Sequence, residues 1–318
     1  MQLPASYCYP RSASSKDTMN PVSALDGVMY HLDTQRPNIT YYCPSTGDIL
    51  SDTSFSIAIE NAANKKYPAT DHTPISIQVG AYKILYVSLD NSVRSMKNEF
   101  PLTQSSKCDS RLDQICNIIN KIQPDIVFFS EACRKCVNIG SDVVFWSQMK
   151  RIIANSTGLI FGCEQANNFS TTQMSFGVAM FYRSTVDYII AEQGVQLLHE
   201  DANRNCYGSG AVLIRLNTGE TVVGVHFPLD FKGAGEDNNN YRATKALIKL
   251  LEQYPYAVAI GDMNIVEGNI ENCMRSALTN TNWSIARDHY SFLPSFFDNI
   301  PNDPRVPEIT TLGRVEDL

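Results

Sequence analysis

Short apolar runs separated by turn residues recur along the chain, and few stretches hold helical spacing for long. Ile75-Ser-Ile-Gln-Val79 and Lys83-Ile-Leu-Tyr-Val-Ser-Leu89 flank Gly80-Ala81-Tyr82, a pattern that predicts a hairpin. Leu112, Ile115, Cys116, Ile119 and Ile122 stand at helical intervals, predicting a helix over 108–122. A turn at Gln123-Pro124 then leads into an apolar strand, 125–129, and 141–154 reads as a second helix. Three further strands follow at 176–182, 210–216 and 221–226, the last two joined by the tight turn Asn217-Thr-Gly-Glu220. Ala243, Ala246, Leu247, Leu250 and Leu251 mark an amphipathic helix over 241–254, which feeds a strand ending at Asp262. Beyond Ser291, Pro294, Pro301, Pro304 and Pro307 predict a long loop with little regular structure. This alternation fits an α+β mixed sandwich flanked by helices better than a doubly wound sheet. One domain over 1–318 is expected, with a polar segment at 1–21 and a Pro-rich one at 291–318.

At 318 residues and 43% hydrophobic, the chain is long enough to bury a sizeable core. Its 33 acidic residues outnumber 26 Lys and Arg, and no basic run is present, which argues against a tight non-specific duplex binder. A local basic rim stays possible, because net charge says nothing of distribution. Neither a signal-peptide core nor an apolar run of membrane-spanning length occurs in the sequence. Nine cysteines in irregular spacing predict no disulfide framework, and Cys133-Arg-Lys-Cys136 lacks a second pair at zinc spacing. These features predict a cytoplasmic chain with reduced thiols.

Chemistry concentrates where strands end. The strand after Pro124 stops at Ser130-Glu131, the strand 221–226 stops at His226, and Ala259-Ile-Gly-Asp262 runs into Met263-Asn264. Asp71-His72 stands just before the strand that begins at Ile75. Carboxylates at such ends suit a hard divalent cation, and imidazoles suit proton transfer near neutral pH. Alone, a strand-terminal Glu reads as a solvated end and His226 as a structural histidine. Their repetition at strand ends points instead to one shared cleft.

Taken together, these strings resemble signatures of the endonuclease/exonuclease/phosphatase superfamily, the deoxyribonuclease-I-like metal phosphodiesterases. Pro124-Asp-Ile-Val-Phe-Phe-Ser-Glu131 is similar to the family's Pro-Asp-Ile-x-x-x-Gln-Glu, with Ser130 in place of Gln, and implies Glu131 as a metal ligand. Gly261-Asp262-Met263-Asn264 resembles the segment that orients the nucleophilic water and binds the phosphate. Val225-His226 resembles the strand end whose His contacts the scissile phosphate. Thr70-Asp71-His72-Thr73-Pro74-Ile75 resembles the family's terminal Ser-Asp-His-x-Pro-Val/Ile, implying metal service for Asp71 and phosphate or water contact for His72. Asp26, in a string similar to Arg-Ile-Asp-x-Ile-Leu but with Ala24 at the Arg position, is the candidate to orient His72. The first strand of the family ends in an Asn near the metal; here either Asp90 or Asn91 fills that position.

In the family the Asp-His pair closes the chain, whereas here it precedes the other strong motifs except Asp26. The resemblance therefore implies a circularly permuted four-layer α/β/β/α sandwich, joined at Gly80-Ala81-Tyr82. An unpermuted, truncated reading would use Asp288-His289 and Val315-Glu316-Asp317 instead, but Asp288-His289 leads into Tyr-Ser-Phe rather than x-Pro-Ile.

The implied activity is Mg²⁺- or Mn²⁺-dependent phosphoester hydrolysis by in-line attack of water, with a nuclease or nucleotide phosphodiesterase ranked first and nucleic acid as partner. Asn264, Arg183 and Arg242 are the candidate substrate contacts, with Lys232 and Arg204 as further cations. One alternative is a phosphatase acting on an inositol phosphate, a phospholipid headgroup or a protein–nucleic-acid adduct. Another is a catalytically silent binding or assembly protein, although Glu131, His226, Asp262 and His72 are all present.

Overall fold

A computed structural model describes residues 26–43, 46–49, 72–89, 105–132, 142–166, 177–198, 209–228, 233–254, 256–265 and 269–286. Asp71, Asp90, Asn91, Cys133, Cys136, Arg204, Lys232, Asp288 and the Pro-rich segment 291–318 lie outside the described residues.

Two six-stranded mixed sheets form the body of the described chain. In the first the order is β12 (Trp283–Ala286), β1 (Asp26–His31), β11 (Ala257–Asp262), β10 (Thr221–His226), β9 (Ser209–Leu216) and β8 (Tyr188–Leu198). The second runs β2 (Thr40–Tyr41), β3 (Ile75–Val79), β4 (Tyr82–Ser88), β5 (Ile126–Ser130), β7 (Gly177–Tyr182) and β6 (Ile160–Ala166). Four helices accompany them: α1 (Ser105–Ile122), α2 (Asp142–Thr157), α3 (Asn239–Leu251) and α4 (Asn269–Leu278).

Strand alternation sorts the side chains into layers. Val28, Tyr30, Ile84, Tyr86, Phe128, Val222 and Ile260 pack between the sheets. Their neighbours face outward: Met29, Val223, Val225 and Ala259 meet Ala243 and Leu247 of α3 and Met274 of α4. Leu85, Val87, Val127 and Phe129 of the second sheet meet Ile115 and Ile119 of α1 and Ile153 of α2. The result is the four-layer α/β/β/α sandwich that the resemblance implies.

Two parallel pairings decide where the strand ends fall. β4 pairs parallel with β5 through α1, and β10 pairs parallel with β11 through α3. The C-terminal ends of each pair therefore emerge together. β1 is antiparallel to β11 with Asp26 opposite Asp262, so the start of β1 joins that end. β3 pairs antiparallel with β4, Ile75 opposite Tyr86, which carries His72 towards the end of β4. Gly80, at φ 55°, makes the turn between those two strands.

Glycine also sets how closely the sheets approach. A Cβ on Gly224 would lie 2.2 Å from Cδ1 of Phe128, so the bare backbone of β10 receives that ring from β5. Gly261 has the same role within the first sheet, where a Cβ would lie 2.1 Å from the carbonyl oxygen of Val225. Both contacts stand within a few residues of a strand end that carries a candidate site group.

The predicted strands and helices that fall on described residues are present, with bounds shifted by a few residues. Strands β2, β6, β8 and β12 and helix α4 were not predicted and are found. Cys43, Cys116, Cys163 and Cys273 are free and buried, and burial pushes the Cys116 and Cys163 thiols up to about 11. Among the described residues, no helix is long and apolar enough to cross a membrane.

Candidate active site

Five candidate residues from the sequence gather at one end of the sandwich: Asp26, His72, His226, Asp262 and Asn264. Glu131 follows the end of β5 and faces the same region. The centre of the group is a histidine–carboxylate pair assembled from positions 46 residues apart. His72 Nδ1 lies 3.0 Å from Asp26 Oδ1 and 3.1 Å from Oδ2. Both side chains are essentially closed to solvent. Because a carboxylate only accepts, Nδ1 carries a proton and donates the hydrogen bond to Asp26.

Beside it, His226 and Asp262 stand directly across the parallel ladder from one another. Their closest approach is 3.5 Å, between Nε2 and Oδ2. The other oxygen of Asp262 accepts the backbone N–H of Asn264 at 2.8 Å, an Asx turn that fixes the carboxylate. Asn264 in turn donates from Nδ2 to the carbonyl of Phe227 at 2.7 Å, tying the loop after β11 to the loop after β10. Burial, with His72 beside it, holds the His226 imidazole down at about 4, so it is neutral at physiological pH.

Glu131 and Asn264 both adopt left-handed backbone, at φ 50° and 49°. Asparagine tolerates this region, whereas a glutamate held there costs on the order of 1–3 kcal/mol. The turn away from β5 is thus conformationally expensive at the residue whose carboxylate the sequence singles out.

Tyr86, on β4, was not predicted and lies beneath the site. Its phenol is fully buried and 2.5 Å from the hydroxyl of Ser130. Burial raises it well above the usual phenol range, and the carboxylates of Asp26, Asp262 and Glu131 push the same way. One hydroxyl therefore senses three carboxylates, two from the first sheet and one from the second. Among the described residues, ligand atoms of Asp26, His72 and Asp262 also lie within 4.8 Å of one another. Such a gathering of oxygen donors fits a hard divalent cation, since like charges confined together need a counter-charge.

Two further sequence candidates sit differently. Arg183 follows β7 at the opposite end of the second sheet, because Tyr182 pairs with Ile126 at the start of β5. There its guanidinium donates to the carbonyl of Pro124 and to Gln123 Oε1, so the structure does not bring it to the site. Charge alone selected it, and charge carries no positional information. Arg242 is exposed in the first turn of α3, the end of that helix nearest the loops after β10 and β11.

Solved structures give distant likenesses. A conserved protein of unknown function from Enterococcus faecalis is 14% identical over 55% of this chain and 66% of its own, with a TM-score of 0.37. A humanized D. rerio TDP2 is 12% identical over 59% and 69%, with a TM-score of 0.34. ANGEL2, a 2′,3′-cyclic phosphatase, is 15% identical over 50% and 44%, with a TM-score of 0.36. The chain thus spans about two thirds of the first two proteins and less than half of ANGEL2. No curated protein sequence matches it. A model of the endonuclease/exonuclease/phosphatase family matches residues 96–307, about two thirds of the sequence, and the chain belongs to that family.

Proposed function

We propose that the chain is a divalent-cation-dependent phosphodiesterase acting on nucleic acid or nucleotides by in-line attack of water. The observation that carries this reading is the juxtaposition of two histidine–carboxylate pairs, Asp26–His72 and Asp262–His226, at one end of the sandwich. The description of the matched family, endonuclease/exonuclease/phosphatase, supports phosphoester hydrolysis, and so does the donor set.

Glu131 would hold the cation, with Asp71 and either Asp90 or Asn91 as further ligands. Bound there, Mg²⁺ or Mn²⁺ supplies Lewis-acid polarisation of a phosphoryl oxygen. The protein's own groups divide the remaining work. Asp262, immobilised by the Asn264 N–H, orients the attacking water through its second oxygen. His72, whose Nδ1 proton is held by Asp26, offers Nε2 to the water or to a phosphate oxygen. Neutral His226 contacts the phosphate, and the Nδ2 hydrogen that Asn264 does not spend on Phe227 completes the set of donors.

The cyclic order of motifs belongs to the same proposal. The β3–β4 hairpin at Gly80 joins the strand that follows the Asp-His pair to the first-motif strand by one short turn. That connection supports a circular permutation, since the join leaves the pairing of the sheet intact.

The test is incubation with Mg²⁺ or Mn²⁺ and a panel of labelled single- and double-stranded RNA and DNA, with inositol phosphates alongside. EDTA and Asp262→Asn serve as controls. Cation-dependent cleavage of a nucleic acid that Asp262→Asn abolishes is expected. Hydrolysis confined to inositol phosphates would replace the nuclease reading with the phosphatase one. Turnover of no substrate, together with no binding of the cation, would refute the enzymatic reading.

A further inference from the structure

We infer that Asn240 is a positioning residue that sets His226 against Asp262. The two loops that carry the site leave β10 and β11 side by side, and each turns a backbone carbonyl towards the start of α3. Asn240 Nδ2 donates to the carbonyl of Pro228 at 2.8 Å and reaches that of Met263 at 3.4 Å. Pro228 stands two residues after His226, and Met263 one residue after Asp262. A single buried amide therefore spans the gap between the histidine loop and the carboxylate loop.

The chemistry of the side chain suits this task and little else. Two carbonyl oxygens facing one group need two hydrogens on one atom, and a primary amide supplies them without charge. Aspartate would place a carboxylate against both acceptors. Lysine would bury an ammonium, and glutamine is one methylene too long for the same reach.

Helix capping does not account for Asn240. Its neighbour Asn238 is the cap, with Oδ1 accepting from the N–H of Asn240 at 2.8 Å and of Tyr241 at 3.3 Å. Asn238 Nδ2 and Asn269 Nδ2 both donate to the carbonyl of Gly233, anchoring the helix start a second time. Thr244 bonds the backbone carbonyl of Asn240, not its side chain. The amide is thus committed to the two catalytic loops while other groups hold the helix.

The kinetic arm of the test rests on the phosphodiesterase reading, and the spectroscopic arm does not. Asn240→Ala is measured in the wild-type and His226→Ala backgrounds on the substrate that the wild type cleaves. A displacement of about 1 Å costs roughly 10²-fold in rate, so kcat should fall between about tenfold and 10²-fold with KM nearly unchanged. In the His226→Ala background the same substitution should cost less than about twofold, because the group it positions is gone. An equal loss in both backgrounds, or no loss in the first, overturns the inference. Should wild type cleave nothing, the imidazole ¹³Cε1–¹H resonance of His226 decides. A shifted peak in Asn240→Ala supports positioning, and a superimposable one overturns it. If Asn240→Ala fails to fold by circular dichroism, Asn240→Ser, which keeps one donor, is read by the same criteria.

Discussion

Replacing His226 with asparagine should flatten the acid side of the stability profile. Burial holds this imidazole at about 4 in the folded chain, against about 6.5 for an exposed one. The folded pKa is depressed, so between those two values the unfolded chain binds more protons than the folded one. Its contribution is therefore fully present above about pH 6.5 and is lost as pH falls towards 4. The full span, at about 1.36 kcal/mol per pH unit, is on the order of 3 kcal/mol, of which about 2.5 kcal/mol is gone by pH 4.5. For a chain of 318 residues, at about 2.1 cal/mol/K of unfolding entropy per residue, that is roughly 4 °C in Tm. The assay is thermal unfolding of wild type and His226→Asn in EDTA at pH 7.5 and 4.5, monitored by circular dichroism. Other titrating groups act on both proteins, so the difference in their pH dependence isolates His226. Wild type should lose more stability than the variant by that margin. Parallel profiles would refute the burial argument, and with it the neutral imidazole assigned to the site.

Three other substitutions probe separate parts of the structure. Asp26→Asn keeps the shape of the buried partner of His72 but lets its amide donate, which disturbs the tautomer; kcat should fall by roughly 10²-fold or more with the fold intact. Wild-type turnover in that variant would remove His72 from the chemistry. Glu131→Gln should weaken Mn²⁺ binding, measured by titration calorimetry, by at least about tenfold, and unchanged affinity would mean that other oxygens hold the cation. Gly224→Ala places a methyl against the Phe128 ring and should lower stability to denaturant by about 1–3 kcal/mol or more; equal stability would show that the sheets are not closely apposed there.

Much of the site was legible because its residues stand where a periodic apolar run ends. Glu131, His226 and Asp262 each stand at the end of a buried apolar run, so the sequence itself marks the point where the strand ends. Asp26 needed more, since its partner is 46 residues away and only the motif order suggested the pairing. What escaped the sequence reading lacked a periodic signature. β12 has four residues, and β8 shifts register three times along its length, which breaks the alternation that would have announced it. α4 did carry a readable stripe, with Ile270, Cys273, Met274, Ala277 and Leu278 all buried. Tyr86 and Asn240 were hidden for another reason. A phenol in an apolar strand and an amide in an Asn triplet are commonplace in sequence, and only the packing of other strands and loops around them makes them part of the site.

The same packing explains why the order of motifs along the chain need not matter. The candidate site groups come from β1, β10 and β11 of one sheet and from the segments before β3 and after β5 of the other. Their meeting depends on which strand ends coincide, and that is fixed by direction and register. A slip of one residue between β10 and β11 would separate His226 from Asp262 and turn alternate side chains to the wrong face. Gly261 against the Val225 carbonyl, and Phe128 against Gly224, resist such a slip because only the observed register brings each bulky group to a residue without a Cβ. The Gly80 turn, at the other end of its strands, carries none of the candidate site residues. Opening or closing the chain at that pole therefore leaves the register, and the chemistry it assembles, unchanged.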